Sequence, residues 1–230
     1  MLDNYSYLII NLLALSFPLA ASWDKRFSYH TKFKPLFIGI LVMMCLFIPW
    51  DIWFTEKGVW GFNSDYLTGL YIFNLPIEEW LFFICIPFSS IFIYECILHY
   101  FPNRFNSLKT GRLLSIVFGL ILLSISLINI DKDYTFYNFL GCSLLLFLNA
   151  IKPNQFLPAF FFSYLFVLIP FFVVNGILTG SFLDAPIVWY NNLENLNIRL
   201  FTIPIEDVVY GFFMLLLTFN IYQFSKKILS

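Results

Sequence analysis

Asn74-Leu75-Pro76-Ile77-Glu78-Glu79-Trp80-Leu81-Phe82-Phe83 sets a proline and two adjacent acids at the start of a long apolar run. The phrase returns as Thr202-Ile203-Pro204-Ile205-Glu206-Asp207-Val208-Val209-Tyr210-Gly211-Phe212-Phe213. Pro204 follows Pro76 by 128 residues, so the copies mark equivalent points in two halves of one chain.

Around these motifs the chain is overwhelmingly apolar. It is 60% hydrophobic and 12% charged, against about 25% charged in soluble domains. Its mean hydropathy is +0.80. Such a composition defines an integral membrane protein. A net charge of -1, with no basic stripe interleaved with aromatics, argues against nucleic-acid binding. The 31 Phe, 13 Tyr and 6 Trp suit lipid-facing and interfacial belts, and equally an aromatic-lined cavity. Cys45, Cys85, Cys96 and Cys142 fall in apolar segments without metal spacing and read as small buried residues. His30 and His99 are expected in polar loops, and no metal site is expected.

Seven segments approach the length needed to cross about 30 Å of hydrocarbon. They are expected near 5–22, 35–54, 76–98, 112–130, 134–151, 157–179 and 204–225. Asp131-Lys132-Asp133 is read as a short solvated turn of a tight antiparallel hairpin. Met1-Leu2-Asp3-Asn4 lacks the basic start of a signal peptide, so the first segment is expected to be retained. Ten of the thirteen basic residues fall on one face: Lys25, Arg26, Lys32, Lys34, Arg104, Lys109, Arg112, Lys152, Lys226 and Lys227. Lys57, Lys132 and Arg199 fall on the other. The positive-inside rule then puts the N-terminus outside and the C-terminus in the cytoplasm; the expected location is a cell membrane, the inner one if the source is bacterial.

Two outer loops, about 55–75 and 180–203, each lead into one acidic motif. Each carries a similar phrase, Gly58-Val59-Trp60-Gly61-Phe62-Asn63 and Pro186-Ile187-Val188-Trp189-Tyr190-Asn191. Ile48-Pro49-Trp50-Asp51 loosely matches Ile169-Pro170-Phe171-Phe172. The fold class is therefore all-α integral membrane, with seven transmembrane helices as two parallel three-helix repeats joined by a linker helix (3+1+3). The first repeat spans 1–100, the linker with helix 4 spans 101–133, and the second repeat spans 134–230. An odd repeat joined by one extra helix gives both halves the same orientation, related by a pseudo-twofold axis along the membrane normal.

With Leu75 and Ile203 as N-caps, Glu78 and Glu206 would stand at the capping-box position, favourable to the helix dipole. Capping does not explain the second acid of each motif, which points about 100° away. Acids at membrane depth are costly and mark function. Paired carboxyls in one cavity supply a proton donor and a proton acceptor. Trp60, Trp80, Trp189, Tyr190 and Tyr210 lie nearby in sequence. Aromatic faces stabilise a desolvated cation by about 2 kcal/mol or more. This set suits carbocation chemistry on an apolar alkene. Asn175 and Asp51 could orient an acid or simply join helices. Arg199 could pair with Glu194 or with a motif carboxylate. Nucleotide-binding glycine motifs, zinc-ligand pairs, a diphosphate-binding aspartate run and a serine-nucleophile elbow are all missing from the sequence.

The Pro-Ile-Glu-Glu and Pro-Ile-Glu-Asp motifs, the three-helix repeat and the Val-Trp phrase before each motif resemble the small membrane carotenoid cyclases. These include heterodimeric bacterial lycopene cyclases, single-chain fusions of their two subunits, and the cyclase half of fungal bifunctional proteins. The resemblance covers nearly the whole chain, with helix 4 as the fusion linker. It implies a lipophilic linear carotenoid substrate, lycopene, held within membrane lipid, and carotenoid biosynthesis as the setting. The implied reaction is a redox-neutral cyclisation of ψ end groups to β-ionone rings by an intramolecular lyase or isomerase, with no cofactor. Glu78 and Glu206 are expected as the principal acid and base, with Glu79 and Asp207 as partners and the division of roles open. Trp60, Trp80, Asn175, Trp189, Tyr190 and Tyr210 are expected to bind substrate. One shared cavity and one cavity per half are both open, as is association with other carotenoid enzymes. The alternatives are a C50 or ε/γ-ring cyclase of the same family, and a non-enzymatic proton-coupled carrier.

Overall fold

Among the described residues, seven helices are each long and apolar enough to cross a membrane. A computed structural model describes residues 3–101, 105, 107–155 and 157–229; Arg104, one of the basic residues used for orientation, lies outside them. The helices are α1 (Ser6–Ala21), α2 (Phe33–Lys57), α3 (Ile77–Tyr100), α4 (Leu108–Ile128), α5 (Asp133–Ile151), α6 (Leu157–Leu178) and α7 (Ile205–Leu229). With little water to satisfy backbone groups, a spanning segment must bond to itself, and the helix is the solution for a single span. Pro18, Pro49, Pro87 and Pro170 all lie inside helices that continue past them.

Boundaries depart from expectation where a local signal outweighs hydropathy. Helix α2 runs on to Lys57 and stops where Gly58 turns left-handed (φ 69°), its N–H closing on Phe54 and Thr55 carbonyls. Helix α4 begins at Leu108 because the Ser107 side chain accepts from Thr110 N, a hydroxyl cap. His99 is in the last turn of α3, packed edge-on to Phe27, and not in a loop. Cys85 and Cys142 are buried, whereas Cys45 is exposed on the outside of the helices. Asp133 is more than a solvated turn: it opens α5 and forms an ion pair with Lys57 at the end of α2.

Short strands shape the loops before α3 and α7. Strand β1 (Trp60–Phe62) pairs antiparallel with β4 (Val188–Tyr190), joining the two long loops to each other. Strands β2 (Tyr71–Ile72) and β3 (Leu75–Pro76) form one hairpin, and β5 (Arg199–Leu200) and β6 (Ile203–Pro204) form another. Each hairpin turns through a left-handed phenylalanine, Phe73 at φ 57° and Phe201 at φ 60°. Each is closed by one more bond, Ile77 N to Leu70 O at 2.9 Å and Ile205 N to Ile198 O at 3.0 Å. Each motif therefore enters its helix from the same backbone device.

The main core lies between α2, α3, α6 and α7, around Phe47, Phe83, Phe88, Phe212 and Phe219. Helices α2 and α7 touch closely because Gly39 has no side chain: a Cβ there would lie 2.9 Å from the Thr218 carbonyl oxygen. At the opposite end from the acidic motifs, Glu95 is buried in α3. It accepts from Tyr222 Oη at 2.5 Å and Lys226 Nζ at 3.2 Å, and it also pairs with Lys32. These contacts tie the start of α2 and the end of α7 to α3. Glu95→Ala would leave the fully buried Tyr222 hydroxyl without its acceptor. The lysines are partly solvated, so most of the loss is that hydrogen bond, and the expected destabilisation is about 2 kcal/mol. Thermal unfolding in detergent measures it.

Candidate active site

Pro76 is the last residue of β3 and the N-cap of α3, with φ -64° and ψ 148°. An extended residue feeding straight into a helix suits proline, which fixes φ and has no N–H to leave unpaired. The cap is therefore one residue later than expected from Leu75. Glu78 and Glu79 become the second and third helical residues, and Glu206 and Asp207 take the same places in α7. None of the four side chains has a partner in its own first helical turn.

Glu78 turns back to the loop that precedes it. Its Oε1 accepts from Thr68 N at 2.7 Å, and Glu206 Oε1 accepts from Leu196 N at 2.7 Å. Glu206 Oε1 also accepts from Thr135 Oγ1 at 2.7 Å. The backbone carbonyls are held too: Asn11 donates to Glu78 O at 2.8 Å, and Asn138 to Glu206 O at 2.9 Å. Both carboxyls are fully buried, and Oε2 of each lacks a hydrogen-bond partner.

Glu79 and Asp207 face the other way, into one shared cavity. Tyr7 of α1 donates to Glu79 Oε2 at 2.5 Å, and Tyr134 of α5 donates to Asp207 Oδ1 at 2.6 Å. Asp207 Oδ2 accepts two more bonds, from Tyr190 Oη at 2.9 Å and Asn175 Nδ2 at 3.3 Å. Burial holds the Tyr190 phenol well above its ordinary range, reinforced by the Asp207 charge, so it serves as a neutral O–H donor. The cavity has a volume of about 140 Å³. It reaches along α3 from Glu79 to Ile93, about 21 Å at 1.5 Å per residue. Below the carboxyls its lining is mainly apolar, with Ile86, Val167, Phe171 and Met214, and with Ser89 and Ser90 as polar exceptions on α3.

Aromatic rings crowd the polar end. Trp60 stands edge-on to Tyr134 with centroids 5.1 Å apart, and Tyr134 stacks with Tyr190 at 5.9 Å. Tyr210 meets Trp60 at 5.9 Å and Trp50 at 5.4 Å. The chamber thus offers carboxyls to move protons, and ring faces for positive charge that forms between them.

Of the residues expected from sequence, Glu79, Asp207, Trp60, Asn175, Tyr190 and Tyr210 line this cavity. Glu78 and Glu206, expected as the principal acids, do not; the adjacent acids take the cavity-facing positions. Trp80 packs against the core, away from the chamber. Trp189 is 43% exposed and lies across Gly61, where a Cβ would come within 2.3 Å of its ring. The alternation of a strand explains this: Val188 and Tyr190 point inward, so Trp189 points out. Arg199 bonds to Thr202 O and Asn192 Oδ1 rather than to Glu194. Sequence reasoning missed Tyr7 and Tyr134. A signal existed, since Tyr7 with Asn11 and Tyr134 with Asn138 are i, i+4 pairs at nearly the spacing of the acidic motifs. Among the described residues, no group of three His, Cys, Asp or Glu is placed to hold a metal.

Apolar helices α1, α2, α3, α5, α6 and α7 surround a chamber that gathers carboxyls and aromatics, and with α4 they define a multi-pass membrane protein. The lycopene cyclase family profile matches residues 4–97 and 131–225, most of the chain, and the chain belongs to that family of carotenoid biosynthesis. Among curated proteins it is similar to the bifunctional lycopene cyclase/phytoene synthase of Gibberella fujikuroi, 29% identical over 116 residues. That match covers 46% of this chain and 20% of the relative. The protein of the same description from Arthroderma gypseum is 28% identical over 71 residues, covering 29% of this chain and 12% of the relative. The chain thus spans only a minor part of the length of these two relatives. No solved structure matches it.

Proposed function

We propose that the chain cyclises the ψ end groups of lycopene to β-ionone rings, an isomerisation without net redox change. The observation that carries this reading is that Glu79 and Asp207, from the two motifs, share one aromatic chamber leading into an apolar channel. Glu79 has one oxygen engaged by the protein and one left for substrate. Asp207 accepts three hydrogen bonds, an arrangement suited to a carboxylate. Glu79 is accordingly the proton donor and Asp207 the base. The Glu79 proton goes to C2, the C1=C2 π bond breaks, and a tertiary cation forms at C1. The C5=C6 pair attacks C1, closing the ring and moving the charge to C5. Asp207 takes the proton from C6, and the C5=C6 double bond is restored. Trp60 and Tyr210 present ring faces to the cation, Tyr190 and Asn175 hold Asp207, and Glu78 and Glu206 hold the preceding loops.

The organisation in this reading is two parallel three-helix repeats, α1–α3 and α5–α7, joined by α4. The matching tyrosine, asparagine and hairpin contacts support it, as does the gap in the family match over residues 98–130. Basic residues concentrated at the end opposite the acidic motifs support an outside N-terminus and a cytoplasmic C-terminus.

Expression in a bacterial host that accumulates lycopene, followed by pigment chromatography, tests the reaction. β-Carotene or a one-ring product is expected. Unchanged lycopene with the chain confirmed in the membrane fraction overturns lycopene as the substrate.

A further inference from the structure

Asp51 is a third carboxyl on the chamber, contributed by α2 and only 2% exposed. Its Oδ1 accepts from Trp60 Nε1 at 2.6 Å. Its Oδ2 is buried and has no hydrogen-bond partner. An indole can only donate, so Oδ1 is committed as an acceptor and Oδ2 is the atom left to carry a proton. A bare buried oxygen calls for an explanation, because such groups are normally paired. Asp51, Glu79 and Asp207 all line this one chamber, with Tyr210 among them. Among the described residues no lysine, arginine or histidine lines the chamber; Arg199 stands over the Tyr190 ring at 5.9 Å, on the Asp207 side. Helix α6 contains no acid, so the feature exists on one side only.

We propose that Asp51 is the proton relay of this chamber, restoring the proton that Glu79 gives to the substrate. The inference rests on the cyclase reading. After Glu79 has protonated C2 it is a carboxylate, and the Asp51 O–H transfers its proton to it. Asp51 is then a carboxylate and takes up the proton that Asp207 received from C6 once the product has left. No proton is consumed over the cycle, as an isomerisation requires. The one-sided placement gives two otherwise similar motifs different tasks.

Asp51→Asn is a clean test, because its amide oxygen still accepts from Trp60 while the proton carrier is lost. The chain, purified into liposomes loaded with lycopene, is followed by rapid quench. For the variant the first turnover is expected within about threefold of the parent, and the steady-state rate at least about 100-fold lower. Asp51→Glu, which keeps a carboxyl, is expected to restore part of the steady-state rate. Equal steady-state rates in Asp51→Asn and the parent overturn the relay. Loss of the first turnover to the same extent as the steady state, with a lowered melting temperature and no rescue by Asp51→Glu, overturns it in favour of a packing role. Glu79→Gln is run beside them: if it is inactive while Asp51→Asn is normal, only the relay falls. If the parent itself converts no lycopene, the cyclase reading falls first.

Discussion

Glu79→Gln and Asp207→Asn are each expected to lower cyclisation at least about 100-fold, the usual scale for losing a general acid or base. Both replacements keep an acceptor oxygen for the tyrosine above them, Tyr7 in one case and Tyr134 in the other. The helices should therefore stay docked, and membrane expression should match the parent. What is lost is the capacity to give or take a proton at the chamber. Asp207→Asn carries an added penalty, because its amide NH₂ meets two donors, Tyr190 and Asn175, where a carboxylate oxygen accepted both. Quantified pigment per unit of membrane-inserted chain is the readout. Activity within about threefold of the parent for either variant would remove that residue from the mechanism.

The neighbouring acids should behave differently, and the contrast separates chemistry from architecture. Glu78 and Glu206 lie off the chamber and each accepts a backbone N–H from ten residues upstream. Glutamine preserves that acceptor, and Glu78→Gln or Glu206→Gln is expected to retain cyclisation within about tenfold. Alanine leaves a part-buried N–H unpaired, at about 1 kcal/mol, and frees the loop that carries each hairpin. Glu206→Ala should suffer more, since Thr135 loses its acceptor as well. The expected result is a lowered melting temperature with conversion falling in parallel. A glutamine variant that folds normally yet is wholly inactive would return these residues to the chemistry.

Much of this was legible because membrane composition leaves few options. Apolar run lengths marked seven helices, since a spanning segment has no other way to satisfy its backbone. The duplicated Pro-acid-acid phrase located the chamber to within one residue. That one residue mattered: adjacent helical positions point about 100° apart, so the cap's shift from Leu75 to Pro76 accompanies an exchange of the inward-facing acid. Hydropathy could not reveal which acid faces inward, because both are buried. Trp189 failed as a chamber residue for a related reason, since a short strand alternates and only its pairing with β1 sets which side is in. Tyr7 and Tyr134 were hidden among many aromatics, distinguishable only by the asparagine one turn later.

The two motifs converge on a single chamber, and this bears on a substrate with two identical ends. Two separate pockets would let a long polyene be processed at both termini in one residence. In the proposed reaction both carboxyls are committed to one end group, so the second ring would form only after the molecule withdraws and presents its other terminus. On that proposal the product ratio would be a kinetic partition, set by how often a half-finished molecule escapes into the bilayer before it reverses.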